Sequence, residues 1–203
     1  MMVGLVGKAR SGKSSVAKIM VEEFDYSIFP MAGPIRSAIK AAFPFISPYD
    51  LGGGKEEIIP QIGKTGRHML QQMGHNWGRE TIDKDLWVKA NEAHINISRV
   101  DFDKVVVDDV RYDNECEWIK SHGGYIIGVD RPGLKDGQAS WRDHPSEGGI
   151  SEHLIDEWIA NVSCLTLDLE YATLNVLHKL LGPNGLNIEN PVFHNVIDGD
   201  DDE

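Results

Sequence analysis

The residues best suited to do chemistry lie close to the start of the chain, in Gly7-Lys8-Ala9-Arg10-Ser11-Gly12-Lys13-Ser14. The spacing is GxxxxGK followed by serine, and each fixed position has a task in holding a nucleoside triphosphate. Gly7 and Gly12 let the backbone turn tightly and approach a phosphate where a Cβ would intrude. The N–H groups between them, Ser11 included, then point inward as an anion nest. Lys13 reaches the β- and γ-phosphates, and the Ser14 hydroxyl is suited to ligate Mg²⁺. A Gly-rich turn could match this spacing by chance, so the flanks decide. Met2 to Val6 is an apolar run suited to a buried parallel strand. Val16, Ile19, Met20 and Phe24 follow at helical spacing. The sequence therefore predicts strand, phosphate loop and helix, with the helix N-terminus adding its dipole to the site.

Other candidates fall where an open parallel sheet binds ligands, beyond the carboxyl ends of its strands. Asp108 and Asp109 end the apolar run Val105-Val106-Val107, the place of a carboxylate that serves Mg²⁺. The plainer reading is a strand-end turn. Arg111, two residues on, reaches the same cleft. Arg36, Arg67 and Arg79 each lie near a predicted helix terminus, and guanidinium forks match phosphate geometry. Singly, each is a surface arginine; two or three together would hold a monophosphate. Trp87 and Gln71 could stack on and read a base, although Trp87 also fits a helix core. Arg131, Lys135 and Arg142 belong to a polar loop that could close over transferring phosphates. His144 reads as structural, because a phosphate acceptor is already ionised and needs no base. Ser146-Glu147 and Ser151-Glu152 are cap or substrate contacts whose order spacing does not settle.

Positioning these groups requires an α/β core. A second strand is expected at residues 26–31 and a helix at 35–43, opened by Pro34. A Pro/Gly loop follows over 44–54, then a short helical turn at 56–61. Thr65 should cap a helix closed by Gly74, and another helix should run over about 81–98. Val105 to Val107 is a strand, Asp113 caps the helix after it, and 125–129 is the next strand. Residues 131–149 read as an irregular loop, 158–163 as a strand and 169–181 as a helix. About seventy residues separate the strand near Met31 from Val105, where a plain crossover needs one helix. A helical insertion is therefore expected at about 33–100 and a lid at about 131–149. The domain would span 1–181, with 182–203 a C-terminal extension. This layout is that of a kinase with a substrate-binding subdomain.

Composition narrows the classes. The 203 residues carry a net charge of −12, which argues against a general nucleic-acid binder. Part of the acidity lies in Asp198 to Glu203, which reads as a solvated tail. Cys116 and Cys164 form no CxxC, and the eight histidines show no zinc spacing, so a reducing cytoplasm and no structural zinc are expected. No apolar run approaches a membrane span, and no signal peptide precedes the first strand.

In order and spacing, several stretches resemble the bacteriophage-type deoxynucleoside monophosphate kinases. They are the P-loop, Gly33-Pro34-Ile35-Arg36, Gly66 to Gly74, Trp77-Gly78-Arg79 with Leu86-Trp87-Val88, Val107 to Glu115, and His144-Pro145-Ser146-Glu147. The resemblance spans about residues 1–181. It implies a P-loop NTPase three-layer fold with a parallel sheet, a helical acceptor-binding insertion and a lid loop. Gly7, Ala9, Arg10, Ser11, Gly12, Lys13, Ser14 and Ser15 would bind ATP. Arg36, Arg67, Gln71, Arg79, Trp87, Arg111 and Glu147 would bind the acceptor. Asp109 and Arg111 would sit between the nucleotides, Asp109 joining Ser14 at Mg²⁺, and Arg131 would act with Lys13 in transfer. The implied reaction moves the ATP γ-phosphoryl to a deoxynucleoside monophosphate, in the cytoplasm of a host if phage-encoded. Whether the chain forms a homodimer is left open. Asn161-Val162-Ser163-Cys164 lacks the Asp-Gly expected after the asparagine. The rivals are a small-metabolite kinase, acting on dephospho-coenzyme A or a phosphorylated alcohol, and a non-catalytic nucleotide-binding regulator.

Overall fold

The computed structural model describes residues 1–98, 104–133, 149–162 and 166–182. Lys135, Arg142, His144, Ser146, Glu147 and Cys164, most of the expected lid and nearly all of the C-terminal extension therefore lie outside the described residues.

Strand β1 (Met2–Val6) is buried along its whole length, because the sheet covers both its edges and helices cover both its faces. Its neighbours are β5 (Val105–Val107) and β6 (Tyr125–Asp130), both parallel to it. β2 (Ser27–Ile28) and β7 (Glu157–Ala160) form the edges, giving the order β2-β5-β1-β6-β7 with every pairing parallel. The two-residue period of a strand divides the core. Val3 and Leu5 pack with Val106, Ile127 and Ile159 against Val16, Ala17, Ile19 and Met20 of α1 (Lys13–Phe24) and Leu177 of α6 (Thr166–Leu181). Met2 and Val6 pack with Val105, Val107 and Ile126 on the other face, against Cys116, Trp118 and Ile119 of α5 (Asp113–Ser121). Burying each of these larger side chains contributes about 1.5–3 kcal/mol before the entropy of ordering is subtracted.

Between β2 and β5 the chain builds a second packing unit. It contains α2 (Gly33–Ala42), the hairpin β3 (Ile58–Ile59) and β4 (Lys64–Thr65), α3 (Gly66–Gln71), a π-helix (Gln72–Ile82) and α4 (Leu86–Ser98). Ile39, Ile46, Leu51 and Ile59 form its own small core, with Ile35, Met69, Leu70 and Met73 against it.

The local expectations fail in four places. The second strand shrinks to two residues at the sheet edge, where Pro30 has no N–H to continue the ladder. The expected helical turn at 56–61 is instead a β-hairpin, Ile58 opposite Thr65 and Ile59 opposite Lys64. Thr65 does cap α3, its hydroxyl accepting the His68 N–H at 3.1 Å. Gly74, however, does not end the helix. The chain continues through it as the π-helix to Ile82, and the next helix opens at Leu86 rather than near Thr81. Finally, Asp113 is the first residue inside α5, not its cap. Its carboxylate accepts the Ser151 N–H at 2.9 Å and the Ser151 hydroxyl.

Candidate active site

The phosphate loop joins β1 to α1. Gly7 has φ 141° and Gly12 φ 113°, values that side chains rarely adopt. Space excludes a Cβ as well: at Gly7 it would lie 2.2 Å from the Val129 carbonyl oxygen, at Gly12 2.5 Å from Asn161 Nδ2. The crown, Lys8 and Arg10, is exposed, and Ser15 is exposed on α1. Ser11 is buried, its carbonyl accepting Asn161 Nδ2 at 2.9 Å, while the Asn161 N–H donates to the Asp130 carbonyl at 2.7 Å. Asn161 therefore ties the loop to the ends of β6 and β7. Lys13 is 8% exposed, and its ammonium donates to the Gly7 carbonyl at 2.7 Å and the Lys8 carbonyl at 2.9 Å.

The two strand-end carboxylates part ways, as neighbours on a strand must. Asp108 faces the P-loop and accepts the Ser14 hydroxyl on Oδ2 at 3.3 Å. Asp109 turns the other way and accepts the Met31 N–H at 2.7 Å and the Ala32 N–H at 3.1 Å. The expectation that Asp109 joins Ser14 is thus corrected: Asp108 does, and Asp109 pins the turn that opens α2. Desolvation raises the Asp109 pKa above the ordinary carboxylate range, against the two backbone donors, with the Asp108 charge adding to the rise.

On the Asp109 side a single pocket gathers Arg36, Arg67, Gln71, Arg79, Trp87 and Arg111, which four separate segments supply. Met31, Ala32, Ile35 and Leu70 give it an apolar wall. The pocket's cations are not equivalent. Arg36 donates to the Leu51 carbonyl. Arg67 donates through Nε to Glu56 at 2.6 Å. Arg79 is buried, and its expected phosphate fork is committed inside the protein: to Glu115, to the Lys84 carbonyl at 2.8 Å and to Asn114 Oδ1 at 3.1 Å. Its guanidinium lies 3.8 Å above the centroid of the Tyr112 ring, and the parallel His75 ring, 6.0 Å from it, shares a hydrogen bond of 3.1 Å with the Tyr112 hydroxyl. Arg79 thus braces an aromatic wall. Trp87 is 5% exposed and donates its N–H to the Gly74 carbonyl at 2.6 Å, so it packs as a core tryptophan with an edge on the pocket.

Glu115 is the hub beneath that wall. One oxygen pairs with Arg79; the other accepts the Arg111 N–H at 2.7 Å and the Tyr112 N–H at 3.2 Å. Burial nevertheless pushes its pKa up to about 7, against the pull of Arg79. Arg131 follows β6 and is exposed, away from the pocket.

A phosphate loop, a carboxylate at its serine and a cationic pocket next to it form a site for moving a phosphoryl group between two anions. The profile of the deoxynucleotide monophosphate kinase family matches residues 56–169, more than half of the chain. The chain belongs to the deoxynucleotide monophosphate kinase family. It is a phosphotransferase of that family, and membership of a kinase family implies the use of ATP. A protein of Acanthamoeba polyphaga mimivirus, described as a deoxynucleotide monophosphate kinase, is 31% identical over 168 residues, 72% of this chain and 80% of that one. The deoxynucleoside-5'-monophosphate kinase of Escherichia phage T5 is 28% identical over 123 residues, 58% of this chain and 48% of that one. Among solved structures, a Thermus thermophilus protein covers 90% of this chain and 98% of its own, at 20% identity and a TM-score of 0.47. The dephospho-CoA kinase of Campylobacter jejuni covers 88% and 96%, at 13% identity and a TM-score of 0.40. The kinase fold is defined by the sheet order and the loop after β1 rather than by these distant likenesses. Among the described residues, no helix of this family member is long and apolar enough to cross a membrane.

Sequence reasoning missed Lys55, His75, Tyr112 and Glu115 as parts of the kinase pocket. Glu115 was legible as a carboxylate three residues into a helix, a position that satisfies N-terminal N–H groups. Lys55 carried no signal beyond the glycines before it.

Proposed function

We propose that this chain transfers the γ-phosphoryl of ATP to a deoxynucleoside monophosphate held in the pocket between α2, α3 and the start of α5. The carrying observation is the split of Asp108 and Asp109. One dipeptide at the end of β5 faces the phosphate loop with its first carboxylate and the cationic pocket with its second. Donor and acceptor sites therefore meet at one strand end.

In this reading Gly7 to Ser15 cradle the ATP phosphates and Lys13 neutralises charge as it grows in transfer. Ser14 and Asp108 would hold Mg²⁺. They fit that ion: both offer hard oxygen atoms, and Mg²⁺ sites of this kind use one or two protein oxygens plus substrate phosphates. The described residues contain no cluster of three or more His, Cys, Asp or Glu side chains able to hold a metal unaided. Bound there, the ion would neutralise phosphate charge. Arg36, Arg67 and Arg111 bind the acceptor phosphate, with Gln71, Tyr112 and the edge of Trp87 available to the nucleoside. Arg131 leads into the lid, and Glu147 keeps its place as an acceptor contact. No general base is required, since the attacking phosphate oxygen is already ionised, so rate comes from positioning and electrostatics.

A coupled assay of ADP release tests this, with the four deoxynucleoside monophosphates, their ribose counterparts, dephospho-coenzyme A and phosphorylated alcohols as acceptors. Turnover that depends on a deoxynucleoside monophosphate is expected. Turnover only with a small metabolite, or ADP release indifferent to every acceptor, would refute the reading.

A further inference from the structure

The loop between α2 and β3 closes on Gly52-Gly53-Gly54-Lys55, a run with no task in the site so far. It is tightly built. Asp50 accepts the Ser47 N–H at 2.7 Å and the Ser47 hydroxyl at 2.6 Å, closing the first turn. The N–H groups of Gly52 and Gly54 both return to the Tyr49 carbonyl, at 2.9 and 3.0 Å. Lys55 then donates its N–H to the Gly52 carbonyl at 3.3 Å and accepts the Arg67 N–H on its own carbonyl at 2.8 Å. Gly66 makes this approach possible, since a Cβ there would lie 1.7 Å from the Asp50 carbonyl oxygen and 3.4 Å from Lys55 Cα. The backbone of Lys55 is thereby fixed against the first turn of α3, and its side chain lines the acceptor pocket.

What surrounds it there is mostly positive. Arg36 from α2, Arg67 from α3 and Arg111 from the turn before α5 face the same space, while Glu56 is next in the chain and pairs with Arg67. The other acids of the pocket are engaged: Asp109 by the Met31 and Ala32 N–H groups, Glu115 by Arg79. Among the described residues the Lys55 ammonium has neither a hydrogen bond nor an ion pair. Burial lowers its pKa from the ordinary lysine value, and Arg67, Arg111 and Arg36 push the same way against Glu56. Holding a desolvated ammonium against three guanidinium groups costs free energy in the empty pocket, and an anion recovers it.

We propose that Lys55 is a fourth phosphate-binding cation of the acceptor site, presented by a glycine-built loop and selecting a dianionic monoester. This rests on the acceptor reading above. A phosphate monoester near neutral pH carries about −1.5 to −2 charge, and two of the three guanidinium groups facing it, Arg36 and Arg67, are already bonded to protein acceptors. A lysine adds a compact point charge with rotatable donors and asks for no fixed plane.

The test is Lys55→Met, which keeps the stem and removes the charge. The affinity for each deoxynucleoside monophosphate is measured without ATP by calorimetry, and both KM values by turnover, over about pH 6 to pH 9.5. The variant should bind the acceptor about ten- to a hundredfold more weakly, the worth of one charge-assisted hydrogen bond, with ATP KM unchanged and a melting temperature no lower than the parent's. In the parent protein, acceptor affinity should also fall on the alkaline side. A lysine with a lowered pKa loses its proton below the ordinary lysine range, whereas Glu115, near 7, titrates earlier. Lys55→Met should lack that alkaline limb. Unchanged acceptor affinity, a limb that survives in the variant, or an equal loss in ATP KM or melting temperature would overturn the proposal. If the parent protein turns over no deoxynucleoside monophosphate, the acceptor reading itself fails; if it does and Lys55→Met matches it, only Lys55 is misassigned.

Discussion

Asp108→Asn and Asp109→Asn exchange the same atoms one residue apart, yet they should damage different properties. The Asp109 carboxylate accepts two backbone N–H groups, from Met31 and Ala32. An amide can accept with one oxygen only, and its NH₂ would meet the second N–H. Leaving one buried donor unsatisfied costs about 1–3 kcal/mol. The raised pKa of Asp109 trims this, because a neutral amide is easier to bury than a carboxylate. Roughly 1–2 kcal/mol should remain, or about 2–8 °C of melting temperature for a chain of this size. Asp108, by contrast, has one hydrogen bond among the described residues, a 3.3 Å contact to the exposed Ser14. Its replacement should leave the melting temperature within about 1 °C but cut kcat by about 10²–10³ and shift the Mg²⁺ titration to higher concentration. Thermal melts and Mg²⁺ titrations of both variants decide the matter. A shifted Mg²⁺ midpoint in Asp109→Asn with an unchanged melt would show that the two roles have been reversed.

Lys13→Met should lower kcat by several orders of magnitude in a folded protein, and near-normal turnover would remove the P-loop from the reaction. Arg67→Ala should raise acceptor KM about thirtyfold or more with ATP KM nearly constant, whereas Arg79→Ala should destabilise the fold by about 3–5 kcal/mol by leaving Glu115 unpaired. Denaturation of both variants separates the cases, and an Arg79→Ala protein as stable as the parent would contradict the bracing role. Glu115 predicts a pH signature: its folded pKa of about 7 stands above the unfolded 4.5. Between those values the folded state holds more protons, so this group's contribution to stability is full below about 4.5 and is lost as pH rises towards 7. Glu115→Gln should flatten that segment of the stability profile, and an unchanged slope would place the titration elsewhere.

The parts that sequence patterns revealed were those where one physical cause acts locally. The P-loop was legible because a phosphate nest needs glycine at fixed positions, and both Gly7 and Gly12 indeed sit at positive φ. The buried strands were legible as runs of Val, Leu and Ile. The strand of Tyr26 to Met31 was legible only in part, since its length depends on its pairing with β5 at Ser27 and Ile28 as well as on Pro30, which has no N–H to extend the ladder. The hairpin of Ile58 and Lys64 failed for a related reason: two-residue strands exist through their partner. The π-helix was hidden because Gly74 ends helices more often than it continues them. Here Trp87, from the next helix, caps its carbonyl. Arg79 looked like a phosphate ligand because charge is visible in a sequence and burial against Glu115 is not.

The arrangement at the end of β5 implies a coupling between the two substrates. Asp108 and Asp109 share a peptide plane, so a change in the rotation of that unit moves both carboxylates. Asp109 holds the Met31–Ala32 turn from which α2 starts, and α2 carries Arg36 one turn later. Two residues beyond, Arg111 lines the acceptor pocket while its N–H is held by Glu115, which fixes Arg79 and through it the Tyr112 wall. A ligand drawn to Asp108 thus acts on a segment in which Asp109, Arg111 and Tyr112 border the pocket. If the segment moves as a unit, ATP with Mg²⁺ should tighten acceptor binding and the acceptor should tighten ATP binding by the same factor, as linkage requires. Calorimetric titration of each substrate with and without a non-hydrolysable ATP analogue reads that factor directly. In Asp108→Asn it should approach one, and a factor that survives there would mean that the two sites communicate by another route.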